Sequence, residues 1–239
     1  VEYSEEKGSS RKYFVKDFGC KSVVAGPIPS FFVMTSFVNN LINSGHLRTE
    51  RIIDAFRAVR RRDFVPREFK EESELNEPLP TAYGQTISQP LTVAFMLELL
   101  SPGESEKVLD VGSGSGWQSA LLACIVGEKG KVIAIERIPE LSDFGRGNAK
   151  KYGFKNLEFV VGDGTLGYKE EAPFDKIIVA ASAAGKVPSE LKKQLKVGGR
   201  LVIPVDRSIW LIEKISENGF KETEYPGFVF VPLIPNSSQ

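Results

Sequence analysis

The stretch 108-VLDVGSGSGWQSALL-122 decides how this chain folds. An apolar run with β-branched residues enters a glycine-rich turn and leaves as an apolar segment, so it reads as strand, turn and helix in succession. Gly112, Gly114 and Gly116 let the backbone take positive φ and approach a ligand with no Cβ in the way. A turn of this kind also serves as plain structure, and its details separate the two readings. The spacing is G-x-G-x-G, not the G-x-G-x-x-G that seats a dinucleotide pyrophosphate on a helix N-terminus. Asp110 stands just before the first glycine. A carboxylate there repels a pyrophosphate and helps hold a cationic ammonium group, directly or through backbone and water.

Downstream, short β-rich runs alternate with helical ones. Strands are expected at 107–112, 131–136, 157–162, 174–180 and 200–205, with later runs at 208–215 and 227–234. Helices are expected near 117–126, 139–152 and 187–196. Strands nearly free of polar residues, separated by helices, imply a parallel sheet covered on both faces. Right-handed crossovers make that sheet doubly wound, with ligands at the carboxyl ends of the strands. The last two runs lie close together and are expected to form an antiparallel edge. The fold class is therefore α/β, a doubly wound, mostly parallel, seven-stranded Rossmann-like sheet behind an N-terminal helical region.

Acidic residues stand at the ends of the next two strands. Glu136, closing the second, is placed to bond both hydroxyls of a ribose. Asp163, after the third, could accept from an adenine amino group, with Gly164 leaving room for the ring. Each acid alone suits a turn cap. Together with Asp110 they describe an adenosine carrying a charged amino acid, which is S-adenosylmethionine. Ser113 in the loop and Arg137 beside Glu136 are counted with this site.

Upstream, 84-GQTISQPLTVAFMLELL-100 starts a helix, with Ser88 placed to cap it and Pro90 in its first turn. In 50-ERIIDAFRAVRRRDFVP-66, Ile52, Ile53, Phe56 and Val59 fall at helical spacing and Pro66 ends the helix. Arg57, Arg60, Arg61 and Arg62 read as a solvated helix end, its cations favourable near the C-terminus. Residues 67–84 are expected to be loop with one short helix. Residues 1–33 stand as an extension of unassigned role. Residues 34–239 are expected to form one domain, with 34–100 an N-terminal helical region whose 84–90 turn reads either as a helix cap or as an active-site lip, and 101–239 the cofactor sheet and the last strands.

Lys+Arg and Asp+Glu both number 31, so zero net charge gives no global attraction to nucleic acid or anionic membrane. No segment approaches the ~18 apolar residues of a membrane span, and the mixed-charge start does not resemble a signal peptide. Cys20 and Cys124 lack metal-ligand spacing, and Cys124 lies in an apolar run expected to be buried. With the single His46 in a turn signal, no metal site is expected. Reduced cysteines suit a cytoplasmic protein.

Across 52–234 the sequence resembles the protein-L-isoaspartate (D-aspartate) O-methyltransferases. The marks are 84-GQTISQP-90, 110-DVGSGSGW-117, 136-ERIPEL-141, 162-GDGTLGY-168, 172-APFDKIIV-179, 195-LKVGGRLVIPV-205 and 230-FVPLI-234. The glycine loop is shared with class I methyltransferases in general. The Thr-Ile-Ser-x-Pro block and the late Val-Pro-Leu are far more specific. The resemblance implies methyl transfer from S-adenosylmethionine to the α-carboxylate of L-isoaspartyl residues in damaged proteins or peptides, leaving S-adenosyl-L-homocysteine. The ester then closes to a succinimide. The resemblance makes Ser88 the active-site serine and lines the cofactor and substrate channel with Thr86 and Ile87. It sets the segment containing Val229, Phe230 and Val231 against the substrate backbone.

Two departures stand out: residues 1–33 have no clear counterpart, and Asp206-Arg207 follows 204-PV-205 where the family often has glycine. A carboxylate nucleophile is already ionised at neutral pH, its reference pKa near ~4, so no strong base is needed. The rival readings are a class I methyltransferase acting on RNA or a small molecule, a non-catalytic binding protein keeping the fold, and, less favoured by the glycine spacing, a dehydrogenase. A monomer is expected.

Overall fold

The computed structural model describes residues 36–236, so the 1–33 extension and Cys20 lie outside the described residues. Two short helices come first, α1 (Ser36–Asn43) and α2 (Glu50–Ala58), followed by 3-10 turns and the small hairpin of β1 (Leu79–Pro80) and β2 (Thr86–Ile87). After α3 (Pro90–Leu100) come β3 (Lys107–Val111), α4 (Trp117–Val126), β4 (Lys131–Glu136), α5 (Pro139–Ala149) and β5 (Leu157–Val161). The chain closes with β6 (Phe174–Val179), α6 (Ser189–Lys193), β7 (Leu195–Val205), β8 (Ser208–Lys214) and β9 (Phe220–Pro226).

Seven strands form one sheet in the order β5-β4-β3-β6-β7-β8-β9. The pairs from β5 to β7 are parallel, and β8 runs antiparallel to both β7 and β9. Period-two alternation divides the core between the faces. Val108, Val132, Ile178 and Val202 join a cluster with α1 to α4, while Leu109, Ile133, Ile177 and Leu201 join the cluster containing Leu191 of α6. Those second four are register partners across adjacent strands, one continuous apolar ladder. Each such side chain contributes about 2 kcal/mol by leaving water.

The N-terminal helices are fastened to the sheet domain by an aromatic cluster. Phe37, Phe56 and Trp117 meet edge to face, with centroids 5.6 to 6.5 Å apart, the arrangement ring quadrupoles favour.

Three sequence expectations change. Helix α2 stops at Ala58, well before Pro66, because tertiary partners take the next backbone groups: Val59 O accepts from Trp117 Nε1, and Arg60 N donates to the Tyr152 hydroxyl. The helix near 187–196 is only Ser189–Lys193, since the chain joins β7 from Leu195. The last strand is Phe220–Pro226, and 227–234 is not a strand of the sheet. Residues 220–226 look polar because an edge strand has a solvated face. Phe228 and Phe230 instead pack on the apolar cluster that includes α3, Phe228 meeting Phe95 at 5.2 Å, and residues 231–234 line the functional cavity. The Asp206-Arg207 departure forms the two-residue turn between β7 and β8, and Asp206 takes φ +52°. Aspartate is among the few side chains that tolerate this region.

Candidate active site

Strand β3 pairs with β4 on one side and β6 on the other, so the chain reverses its winding direction there. Connections leave such a point in opposite directions and open a crevice at the strands' carboxyl ends. A cleft open to solvent lies there. Its walls include Thr86, Ile87, Ser88, Gly112, Ser113, Gly114, Glu136, Arg137, Gly164 and Val231. Elements far apart in sequence thus converge on one cavity.

The glycine loop makes the floor. Gly112, Gly114 and Gly116 all have positive φ, and the Gly112 and Ser113 amides donate to Ile135 O at 2.8 and 3.2 Å. Gly116 lies behind the cavity wall, and a Cβ on it would sit 2.8 Å from the carbonyl oxygen of Gly145 in α5. Its role is to let α5 approach the loop. Gly164 does face the cavity, and a Cβ there would meet Val111 Cγ1 at 2.3 Å.

Glu136 ends β4 with its carboxylate accepting from Gly114 N and Ile138 N, both at 3.1 Å, one on each oxygen. Each oxygen keeps a further lone pair for a ligand. Arg137 stands exposed at the rim. Asp163 does not reach the wall. Its Oδ1 accepts from the Thr165 amide and hydroxyl, and Oδ2 from Asn236 N at 2.8 Å. The carboxylate caps a turn and tethers the C-terminal segment, which leaves Gly164 as the cavity residue of that pair.

Asp110 is fully buried between Ala134 and Ile178, its oxygens taking Gln118 Nε2 at 2.7 Å and Ser119 Oγ at 2.6 Å. It too lies behind the wall, whereas its partner Gln118 lines the cavity. Burial raises its pKa from 3.8 to about 6, against the two donated hydrogen bonds and with help from the Glu136 charge. The folded state therefore holds this proton more tightly than the unfolded state. Its contribution to stability is complete below the unfolded value and is lost as pH rises through about 6. Relative to the parent, Asp110→Asn should gain about 2 kcal/mol of unfolding free energy between roughly pH 4 and 7.5, measured by denaturant titration. A pH-independent difference would contradict this.

The opposite wall is the lip. Thr86 and Ile87 pair with Pro80 and Leu79. Ser88 lines the cavity but does not cap α3: the N-cap position is Gln89, no side chain caps there, and Asn76 Oδ1 takes Leu91 N at 2.9 Å. Pro90 does occupy the first turn. Arg61, expected in solvent, has 0% exposure and donates to main-chain carbonyls, including Ser88 O at 3.1 Å. A run with arginines at 57, 60, 61 and 62 carries no signal for which one turns inward. The C-terminal segment closes the third side, with Ser182 N donating to Val231 O and Leu233 N to Ser182 O, both at 2.8 Å. Val231 to Ile234 line the cavity, Phe230 packs on the apolar cluster, and Val229 is 78% exposed outside. Ala180 and Ala181 after β6 also form wall, a place the small-residue run 180-AASAA-184 marks in retrospect.

S-Adenosylmethionine fits what is present. The Ser113 hydroxyl is buried in the cavity wall with no protein partner, Glu136 has spare acceptor capacity, and the floor glycines leave the backbone bare. The fold and cavity define a class I S-adenosylmethionine-dependent methyltransferase. Residues 34–238 match the family described as protein-L-isoaspartate(D-aspartate) O-methyltransferase. Relatives named protein-L-isoaspartate O-methyltransferase include one from Methanopyrus kandleri, 46% identical over 82% of this chain and 89% of its own length. Another, from Archaeoglobus fulgidus, is 48% identical over 77% and 85%. A Plasmodium falciparum crystal structure described under the same enzyme name, in complex with S-adenosyl-L-homocysteine, superimposes with a TM-score of 0.76. It is 25% identical, over 84% of this chain and 98% of that one. The chain belongs to the protein-L-isoaspartate(D-aspartate) O-methyltransferase family.

Proposed function

We propose that the chain methylates the α-carboxylate of L-isoaspartyl residues in damaged proteins and peptides. The observation that carries the reading is the meeting of Ser88 in the lip, the glycine loop and the 231–234 segment around one cavity. In this reading Glu136 holds the ribose, the Ser113 hydroxyl holds the amino-acid end, and Gly164 admits the adenine. When bound, S-adenosylmethionine supplies an electrophilic methyl group. The protein's part is to orient an already ionised carboxylate in line with it and to exclude water. Thr86 and Ile87 wall the channel, and residues 229–231 meet the substrate backbone. Ser88 donates a hydrogen bond that orients the carboxylate.

The test pairs labelled S-adenosylmethionine with two peptides that differ only in isoaspartyl or aspartyl at one site. Base-labile label on the isoaspartyl peptide alone supports the reading. Label on neither, with cofactor bound, favours a binding protein, and label on RNA or a small molecule favours another class I enzyme. Ser88→Ala should lower kcat about tenfold, the value of one net hydrogen bond, with cofactor affinity unchanged. An unchanged rate would remove Ser88 from the mechanism.

Residues 34–239 act as one domain, supported by the family match over 34–238 and by the apolar cluster shared between α1, α2 and the sheet. A cytoplasmic location suits the two widely separated cysteines of the sequence, and we take the chain to be a monomer. Among the described residues no helix is long and apolar enough to cross a membrane. Light scattering at working concentration would expose a second copy.

A further inference from the structure

The cofactor and substrate do not explain the placement of Arg61. Its side chain is completely buried, though it follows a helix end where solvent is near. Nη1 donates to Ser73 O and Leu75 O, both at 3.1 Å. Nη2 donates to Glu77 O at 2.8 Å and Ser88 O at 3.1 Å, with Ile87 O a weaker shared acceptor at 3.5 Å. The two terminal nitrogens carry four N–H bonds in a rigid planar fork. They tie the 73–77 loop to the lip strand. The guanidinium carbon also lies 5.6 Å from the Trp117 ring centroid, and Trp117 lines the cofactor cavity.

Holding a guanidinium inside a protein costs several kcal/mol of lost hydration, so an apolar side chain of similar volume would suffice for packing alone. What an apolar side chain cannot do is accept an assignment to carbonyls of two separate segments. Burial lowers the Arg61 pKa to about 10, with the Glu74 charge opposing, so the group stays charged at neutral pH.

We propose that Arg61 is a positioning residue for methyl transfer: by holding the Ile87 and Ser88 carbonyls against the 73–77 loop and beside Trp117, it fixes where the Ser88 hydroxyl points. The inference rests on the role of Ser88 given above. It requires that the lip be aimed by its main chain, and Ser88 O is where the fork takes hold. Arg61 reaches no reacting atom. It acts through Ser88.

Lysine keeps the charge but presents its donors from one point on a flexible stem, and cannot span both segments. In Arg61→Lys, kcat for an isoaspartyl peptide should fall about 30-fold, with peptide KM and the Kd for S-adenosyl-L-homocysteine each within about threefold of the parent. Leu191→Ala and Ile212→Val, buried in the other apolar cluster, bracket the thermal loss and report what destabilisation alone does. All variants are assayed at a temperature where each is folded by circular dichroism. A kcat loss confined to Arg61→Lys supports the proposal. An unchanged kcat, or a loss matched by the two controls, overturns it. If the lysine variant does not fold, Arg61→Gln, which buries no charge and keeps an NH₂ donor pair, is assayed against the same criteria. A parent protein that labels no isoaspartyl peptide fails the functional reading itself, before any variant is compared, and the proposal falls with it.

Discussion

Glu136→Ala is expected to weaken binding of S-adenosyl-L-homocysteine on the order of 1,000-fold, about 4 kcal/mol. Two losses combine. The carboxylate is the acceptor proposed for both ribose hydroxyls, and charge-assisted hydrogen bonds are worth roughly 1.5–3 kcal/mol each. The same carboxylate holds Gly114 N and Ile138 N, so its removal also loosens the glycine loop on one side and the start of α5 on the other. Isothermal titration gives the Kd directly, and thermal unfolding without ligand separates the structural part. Glu136→Gln should lie between parent and alanine, because one amide oxygen still accepts while the NH₂ faces a backbone donor. Affinity within about threefold of the parent in the alanine variant would show that the ribose is held elsewhere.

Gly116→Val should destabilise the fold by about 4 kcal/mol, a fall in Tm of roughly 10 °C for a domain of this size. Gly116 has φ +84°, a region that a β-branched side chain enters only with strain. Its Cβ would lie 2.8 Å from the Gly145 carbonyl oxygen and 3.1 Å from its carbon, and the obstacle is backbone that cannot rotate away. Gly145 is equally tight, with a Cβ there meeting Gly114 O at 2.7 Å. The loop and α5 are therefore packed backbone to backbone, which accounts for glycine inside a helix despite its propensity cost. A Tm within about 2 °C of the parent would show that α5 can move off the loop.

The two variants separate what looks alike in the sequence. Gly112, Gly114 and Gly116 are evenly spaced, yet the first two line the cavity and the third spaces a helix. Asp110, Glu136 and Asp163 all stand at strand ends, yet Glu136 alone of the three reaches the cavity wall. Strand periodicity says that such residues emerge at the carboxyl edge. It does not say how far a side chain turns, nor which local donors, such as Ser119 or Thr165, claim it first.

Local chemistry along the chain was enough to determine the strand–glycine loop–helix unit and the parallel sheet with its cavity at the carboxyl ends; the family resemblance was needed to read the Gly-Gln-Thr-Ile-Ser block as the lip. The unit and the sheet depend on period-two and helical alternation and on glycine's conformational freedom, which act over a few residues. The tertiary structure decided the rest. It set β9 at 220–226 and freed the segment after it, whose residues 231–234 wall the cavity, because apolar residues cover whatever apolar surface the fold brings near them. It moved the cap of α3 from Ser88 to Asn76, and it turned one arginine of four into the interior. Arg61 is buried where carbonyls from distant segments converge on its two terminal nitrogens, and that convergence exists only once the chain has folded.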